Sequence, residues 1–257
     1  MSNKTTTEQI EIWKSDFGRA WVDRNCVDPV SRVDAFRTML NGLPIGNVLE
    51  VGCAQGHNLI ALSNVSSNYS LCGIEPNQYA IETAKGQGLD VRNGNCFKIP
   101  FDNNAFDLVF TAGVLMHVAP EDLSEALTEI SRVSRAYILV IEYRATADEN
   151  PIYRGYDRLL YKRNYGVLLR THGLNHIRRG HWGKGSGFDG CSWWLCRPPI
   201  CNPCSKSPIG QHHWIIEDSM ICKHCGEIKA IPAAVFIPSP PRRVRPEDIV
   251  YSDADCL

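Results

Sequence analysis

Asn47-Val48-Leu49-Glu50-Val51-Gly52-Cys53-Ala54-Gln55-Gly56-His57-Asn58-Leu59-Ile60 carries three patterns in succession. A short apolar run (Val48, Leu49, Val51) ends in a turn that holds Gly52 and Gly56, and Leu59, Ile60 and Leu62 then begin a helical spacing. Strand, glycine turn and helix in that order are the context a nucleotide-binding turn needs. Glycine there lets the backbone approach a ligand that a Cβ would meet. The acid is informative too. Glu50 at the strand end would repel a pyrophosphate drawn to the helix N-terminus, so the turn suits a ligand with a cationic end and no phosphate.

Two further segments follow in register. Leu71-Cys72-Gly73-Ile74-Glu75-Pro76-Asn77 reads as a second strand ending in an acid, about 20 residues further on, where a carboxylate can take ribose hydroxyls. Phe106-Asp107-Leu108-Val109-Phe110-Thr111-Ala112-Gly113 reads as a later strand and its turn. From Val48 to Val140 short apolar strands (47–51, 70–75, 89–92, 106–111, 136–143) alternate with helical segments near 57–64, 77–86 and 120–133. That alternation predicts an α/β fold with a doubly wound, mostly parallel, Rossmann-like sheet. Leu174 to Trp182 and Gly190 to Arg197 add two strands joined by a glycine-rich loop, making seven, and a helix is expected around 162–171. Upstream, residues 8–25 read as one amphipathic helix and 30–41 as a second, ended by Asn41-Gly42 and Pro44. The first is either packed on the sheet edge or is a lid over the site.

These elements resemble the class I S-adenosylmethionine (SAM) methyltransferases, with Ala54 in place of the usual middle glycine. The resemblance implies a fold and a cofactor. The backbone of Gly52, Cys53, Ala54 and Gly56 would line the methionine portion of SAM, with Glu50 toward its amino end. Glu75 would accept the ribose hydroxyls beside Pro76 and Asn77. Asn95, Cys96 and Phe97 fall where the adenine is received, and Thr111 and Ala112 would complete the floor. His117 is either a general base or structural, and Glu142 and Tyr143 follow the fifth strand, where open α/β sheets place their ligands. Tyr153, Arg154, Tyr156 and Arg158 offer groups for a sugar-like or anionic acceptor. Over about residues 10–197 the chain is also similar to the methylases associated with pseudaminic acid biosynthesis. Trp13, Phe17-Gly18, Arg24-Asn25, the segment from Phe110 to Leu123, and Tyr137 to Tyr143 carry that likeness, with Tyr153-Arg154-Gly155 and Leu160-Tyr161-Lys162-Arg163 downstream.

The tail changes character. Cys201-Asn202-Pro203-Cys204, then seventeen residues, then Cys222-Lys223-His224-Cys225-Gly226 has the spacing of a structural zinc ribbon. Four thiolates on Cys201, Cys204, Cys222 and Cys225 would close a tetrahedral shell and leave no open catalytic position. Pro238-Ser239-Pro240-Pro241-Arg242-Arg243 reads as an extended arm. The expected organisation is an N-terminal helical lid (1–45), a methyltransferase domain (46–199), a zinc-ribbon-like module (200–230) and a Pro/Arg-rich tail (231–257).

Composition sets the bounds. The 257 residues are 44% hydrophobic, enough for a sizeable core, and the net charge of −1 gives no general pull toward nucleic acid. No apolar run reaches 18 residues, which argues against a membrane span, and eleven cysteines without a leader-like start suggest a reducing, cytoplasmic setting. The expected function is SAM-dependent methyl transfer to a small polar acceptor such as a sugar or nucleotide-sugar. Two rivals stand beside it. One is an RNA or protein methyltransferase that docks substrate through the ribbon, and the other is a SAM-binding scaffold without catalysis.

Overall fold

The computed structural model describes residues 5–143, 145, 147–198, 214–216, 220–222 and 228–229. Strands β1 (Asn47–Val51), β2 (Ser70–Glu75), β3 (Val91–Asn93), β4 (Phe106–Ala112), β5 (Ser134–Tyr143), β6 (Asn175–His181) and β7 (Cys191–Arg197) form one sheet in the order β3-β2-β1-β4-β5-β7-β6. The first five are parallel, and β7 runs antiparallel between β5 and β6. This is the mixed, doubly wound, Rossmann-like sheet the alternation predicts. The strand order reverses between β1 and β4, the place where such sheets take ligands.

Helices α1 (Glu8–Lys14), α2 (Asp16–Arg24), α3 (Val33–Leu40), α4 (His57–Ser63), α5 (Gln78–Gly86), α6 (Leu123–Val133) and α7 (Tyr165–Thr171) complete the chain up to the tail. Alternation along the central strands divides the core in two. Leu49, Val51, Val109, Ile138 and Val140 pack with α6 and α7, whereas Val48, Leu108, Phe110, Leu139 and Ile141 pack with α3 and α4. Phe36 on α3 is fully buried, edge-on to Phe110 at 5.7 Å and to Phe188 at 5.4 Å, so it ties the final hairpin to the central sheet.

Several boundaries differ from the sequence expectation. The single helix expected over 8–25 breaks at Ser15, which ends α1 and caps α2 by accepting from the Phe17 amide at 3.2 Å. The break lets α2 fold back on α1, and Gly18 makes the close approach feasible: a Cβ there would lie 1.8 Å from the Trp13 carbonyl oxygen. The helix expected over 30–41 opens as a 3-10 turn, Pro29–Arg32. The strand expected at 89–92 lies at Val91–Asn93. The helix expected from 162 starts only at Tyr165, where Asn164 caps it by accepting from the Val167 amide.

A separate three-stranded antiparallel sheet comprises β8 (Trp214–Ile216), β9 (Met220–Cys222) and β10 (Ile228–Lys229), with β9 in the middle. Cys201, Cys204 and Cys225 lie outside the described residues, and Cys222 is the last residue of β9. Among the described residues no cluster of histidine, cysteine and acidic side chains is placed to hold a metal. Nor is any described helix long and apolar enough to cross a membrane.

Candidate functional site

The turn after β1 is built on positive backbone angles. Gly52 has φ +75° and Gly56 φ +85°, and Ala54 between them also sits in the left-handed region at φ 47°. The Gly52 and Cys53 amides both donate to the Ile74 carbonyl, at 2.8 and 3.1 Å, which fixes the turn against β2. The Ala54 backbone explains why glycine suits the middle position: a Cβ in this conformation costs about 1 kcal/mol. Ala54→Gly is therefore expected to raise the melting temperature by roughly 2 °C, read by differential scanning calorimetry.

Glu75, at the end of β2, is buried and joins two turns. One carboxylate oxygen accepts from the Ala54 amide and the other from the Asn77 amide, each at 3.0 Å. Asn77 in turn caps α5 through the Ala80 amide and donates its side-chain amide to the Trp13 carbonyl at 2.7 Å, so the N-terminal pair of helices closes onto this edge. Asn95 is turned to the chain itself. Its side-chain oxygen accepts from the Phe97 and Lys98 amides, and its nitrogen donates to the Thr5 carbonyl. Cys96 and Phe97 belong to the core beneath, and Pro76 is half-buried between the two turns. The Cys53 side chain also points inward, packing with Leu59, Ile81, Ala84 and Val91, so only its backbone borders the turn.

Glu50 is buried on the α3/α4 side of β1. One oxygen accepts from the Asn58 side chain at 2.6 Å, while the other is buried with no hydrogen-bond partner. Burial pushes its carboxyl up to about 8, against the opposing pull of Asn58 and of the nearby Arg32 guanidinium. Arg32 and Asn58 did not figure in the sequence reading. Asn58, two residues past Gly56, was the detectable signal; Arg32 comes from a distant segment and gave none. Thr111, at the end of β4, is fully buried with an unpartnered hydroxyl, and Ala112 beside it is half-buried.

The three residues expected to act on the acceptor do not converge. Glu142 and Tyr143 are consecutive on β5 and so face opposite sides of the sheet. Glu142 is fully buried and accepts from the Val114 (3.0 Å), Leu115 (2.8 Å) and Met116 (3.4 Å) amides. Its carboxylate thus holds the turn that carries His117. Tyr143 is more exposed, on the side of the final hairpin. His117 directs Nδ1 to the Leu159 carbonyl at 2.6 Å. A carbonyl only accepts, so the ring proton sits on Nδ1 and Nε2 keeps its lone pair. Burial lowers the pKa of this histidine to about 4, so the ring is neutral near pH 7. The ring lies 4.8 Å from Trp13 and 5.5 Å from Tyr153, and Phe17 meets Tyr156 at 5.2 Å. The N-terminal helices and the 153–158 loop thereby build an aromatic wall over the end of β4.

The raised carboxyl of Glu50 has a consequence for stability. It holds its proton more tightly in the folded chain than at the ordinary value of 4.5, so folding binds protons and stability falls as pH rises toward 8. Burial also raises Glu75 and Glu142 to about 7, so the effect of Glu50 is read as the difference between two proteins that share both groups. The melting temperature of the ligand-free protein is expected to drop about 3 °C more between pH 7 and 8.5 in the wild type than in Glu50→Gln. Parallel melting curves for the two proteins would remove this account of Glu50.

Known proteins similar to this chain include methyltransferases. Residues 49–137 match the family described as Methyltransferase domain. The chain is 30% identical over 101 residues to an uncharacterized methyltransferase of Schizosaccharomyces pombe, covering 34% of this chain and 36% of that protein. It is 34% identical over 114 residues to 24-methylenesterol C-methyltransferase 3 of Arabidopsis thaliana, covering 41% and 31%. The match therefore spans about a third of the length of these relatives. Among solved structures, magnesium protoporphyrin IX methyltransferase from Synechocystis PCC 6803 with bound SAM superposes with a TM-score of 0.56 at 12% identity, covering 76% of this chain and 99% of that one. That likeness is one of fold. Residues 49–137 are thus the stretch similar to a methyltransferase domain.

Proposed function

We propose that the protein transfers a methyl group from SAM to a small polar acceptor, such as a sugar or nucleotide-sugar. One observation carries the cofactor reading. A buried carboxyl oxygen on Glu50 stands without a partner behind a left-handed glycine turn, in a stretch matched to methyltransferases. A cationic amino group would supply the missing partner, and the unpartnered Thr111 hydroxyl is a second polar group, on the neighbouring strand β4. When bound, SAM supplies a methyl group on a sulfonium, already activated toward an oxygen, nitrogen or carbon nucleophile.

The chain's own residues do the rest. Gly52, Ala54 and Gly56 bring backbone close to the ligand, and Glu75 presents a carboxylate in reach of hydroxyls. The two N-terminal helices act as a lid that excludes water. Glu142 holds the turn bearing His117, whose Nε2 is free to accept a proton from a hydroxyl or amine acceptor. A base of pKa about 4 is weak, so His117 orients the acceptor and takes its proton late in the transfer. The aromatic rings of Trp13, Tyr153 and Tyr156 offer flat apolar faces to a sugar ring, and Arg154 a charge for an attached phosphate, whereas Arg158 is paired with Glu121 at 2.6 Å. Relatives named for a sterol and a porphyrin show how widely this fold varies its acceptor, so the acceptor class rests on these local residues.

The tail is read as a structural zinc module on Cys201, Cys204, Cys222 and Cys225. The small β8–β10 sheet supports this, since a metal can stand in for the core of so small a sheet. It would serve either to cap the domain or to dock RNA or protein.

The test is incubation with methyl-labelled SAM and a host extract separated into small molecules, RNA and protein. Label among the small molecules supports the proposal. Label in RNA or protein shifts the acceptor to a macromolecule and makes the tail a docking module. Binding of SAM with no label anywhere leaves a scaffold.

A further inference from the structure

The segment from Leu159 to Arg163 is strapped across the turn that carries His117. The Leu159 carbonyl accepts from His117 Nδ1 at 2.6 Å, and the Tyr161 amide donates to the Met116 carbonyl at 2.7 Å. Arg163 Nη2 then donates to the Val118 carbonyl at 2.9 Å. Arg163 is only 3% exposed, and its guanidinium lies over the Tyr161 ring, 4.7 Å from the centroid.

Three donors around this turn lack acceptors. Arg163 Nη1, the Tyr161 hydroxyl and Trp13 Nε1 are each buried without a hydrogen-bond partner, and the Trp13 ring lies 4.8 Å from that of His117. Arg158, beside the Tyr161 hydroxyl, is spent on Glu121 at 2.6 Å. No acid pairs with Arg163 among the described residues. Glu142 is close enough to feel its charge, but the Val114, Leu115 and Met116 amides occupy both oxygens of that carboxyl.

A guanidinium that only supports the fold is met on every edge. Arg132 shows the pattern, donating from Nε, Nη1 and Nη2 to Glu129, Phe101, Asn103 and Ile99. Arg163 is more deeply buried yet keeps one edge open, and a buried charge without a counter-charge is strongly unfavourable. A ligand would supply what is missing. One buried guanidinium balances one negative charge, which suits a carboxylate better than a phosphate monoester carrying nearly two. Nη1 shares its carbon with the Nη2 that holds Val118, so a group taken there sits beside the turn of His117.

We infer that Arg163, with the Tyr161 hydroxyl, binds a carboxylate on the methyl acceptor and sets the acceptor against His117. The inference rests on the methyl-transfer reading above and narrows its acceptor to an acid, such as a carboxylate-bearing sugar.

Labelling of the small-molecule fraction of a host extract by methyl-labelled SAM tests it, before and after carbodiimide coupling with excess methylamine. The coupling turns carboxylates into neutral amides, and extract treated without carbodiimide is the control. Wild-type labelling is expected to fall by roughly thirty-fold on the coupled extract, the worth of one charge-assisted contact. Arg163→Met should lose labelling of untreated extract by the same factor while binding SAM within about three-fold of wild type in calorimetric titration. Arg163→Lys should recover part of the labelling, since the charge returns without the fork. Undiminished labelling of the coupled extract overturns the inference, whether or not the variants fold. So does Arg163→Met labelling as wild type, or label confined to RNA or protein. Loss of SAM affinity in step with labelling would make Arg163 a support for the fold and overturn it too. No label in any fraction of untreated extract brings down the methyl-transfer reading itself.

Discussion

Gly52→Arg is expected to abolish methyl transfer and to weaken SAM binding by about a thousandfold or more. Two costs add. Gly52 occupies φ +75°, where any side chain is strained, and a Cβ there would lie 2.6 Å from the Val114 methyl group. Val114 cannot retreat freely, because its amide is held by Glu142 at 3.0 Å and the turn it opens is fixed by the neighbouring amides. An arginine would also stand where backbone must approach the ligand. The melting temperature should fall by several degrees, while the circular dichroism of the sheet is retained. Calorimetric titration with SAM checks the result, and a Gly52→Arg protein with wild-type affinity would show that the turn is an ordinary strand–helix connection.

Glu75→Ala is expected to weaken SAM binding by roughly a hundredfold. The resemblance read from the sequence implies loss of a ribose contact. The structure adds a second effect, because the carboxylate also accepts from the Ala54 and Asn77 amides. Removing it leaves two donors unpaired in a buried setting and loosens the turns on both sides of the cofactor. A stability loss of about 2–4 kcal/mol is therefore expected beside the binding loss. Glu75→Gln separates the two effects: its side-chain oxygen keeps one amide satisfied, so stability should recover more than affinity. Equal recovery of both would assign Glu75 to architecture alone.

What could be read from the sequence follows from how local its causes are. Strands such as Val48 to Val51 and Phe106 to Phe110 announce themselves by apolar runs broken only by one acid each, and the acids near the ends of β1 and β2 lie at fixed offsets from the glycines. The parallel order and the two faces of the core follow from those patterns. The break at Ser15 was missed because the helical spacing of Trp13, Phe17 and Trp21 continues through it, while Ser15 bonds to Ile12 and Phe17 decide otherwise. Contacts across the chain were the other blind spot. Arg32 reaches both Gly187 and Asn58, and Asn58 reaches Glu50. Glu142 was grouped with the acceptor residues because it ends β5; only the side-chain direction shows that it grips three amides beneath His117. The cysteine pairs were legible by spacing, but three of the four lie outside the described residues.

A crystal structure of the protein with S-adenosylhomocysteine bears most directly on the central claim that this edge of the sheet is a SAM site. The account predicts the ribose hydroxyls on Glu75 and the amino-acid end toward the unpartnered oxygen of Glu50. Ligand density elsewhere on the molecule, with the Glu50 oxygen still unpartnered, would contradict it.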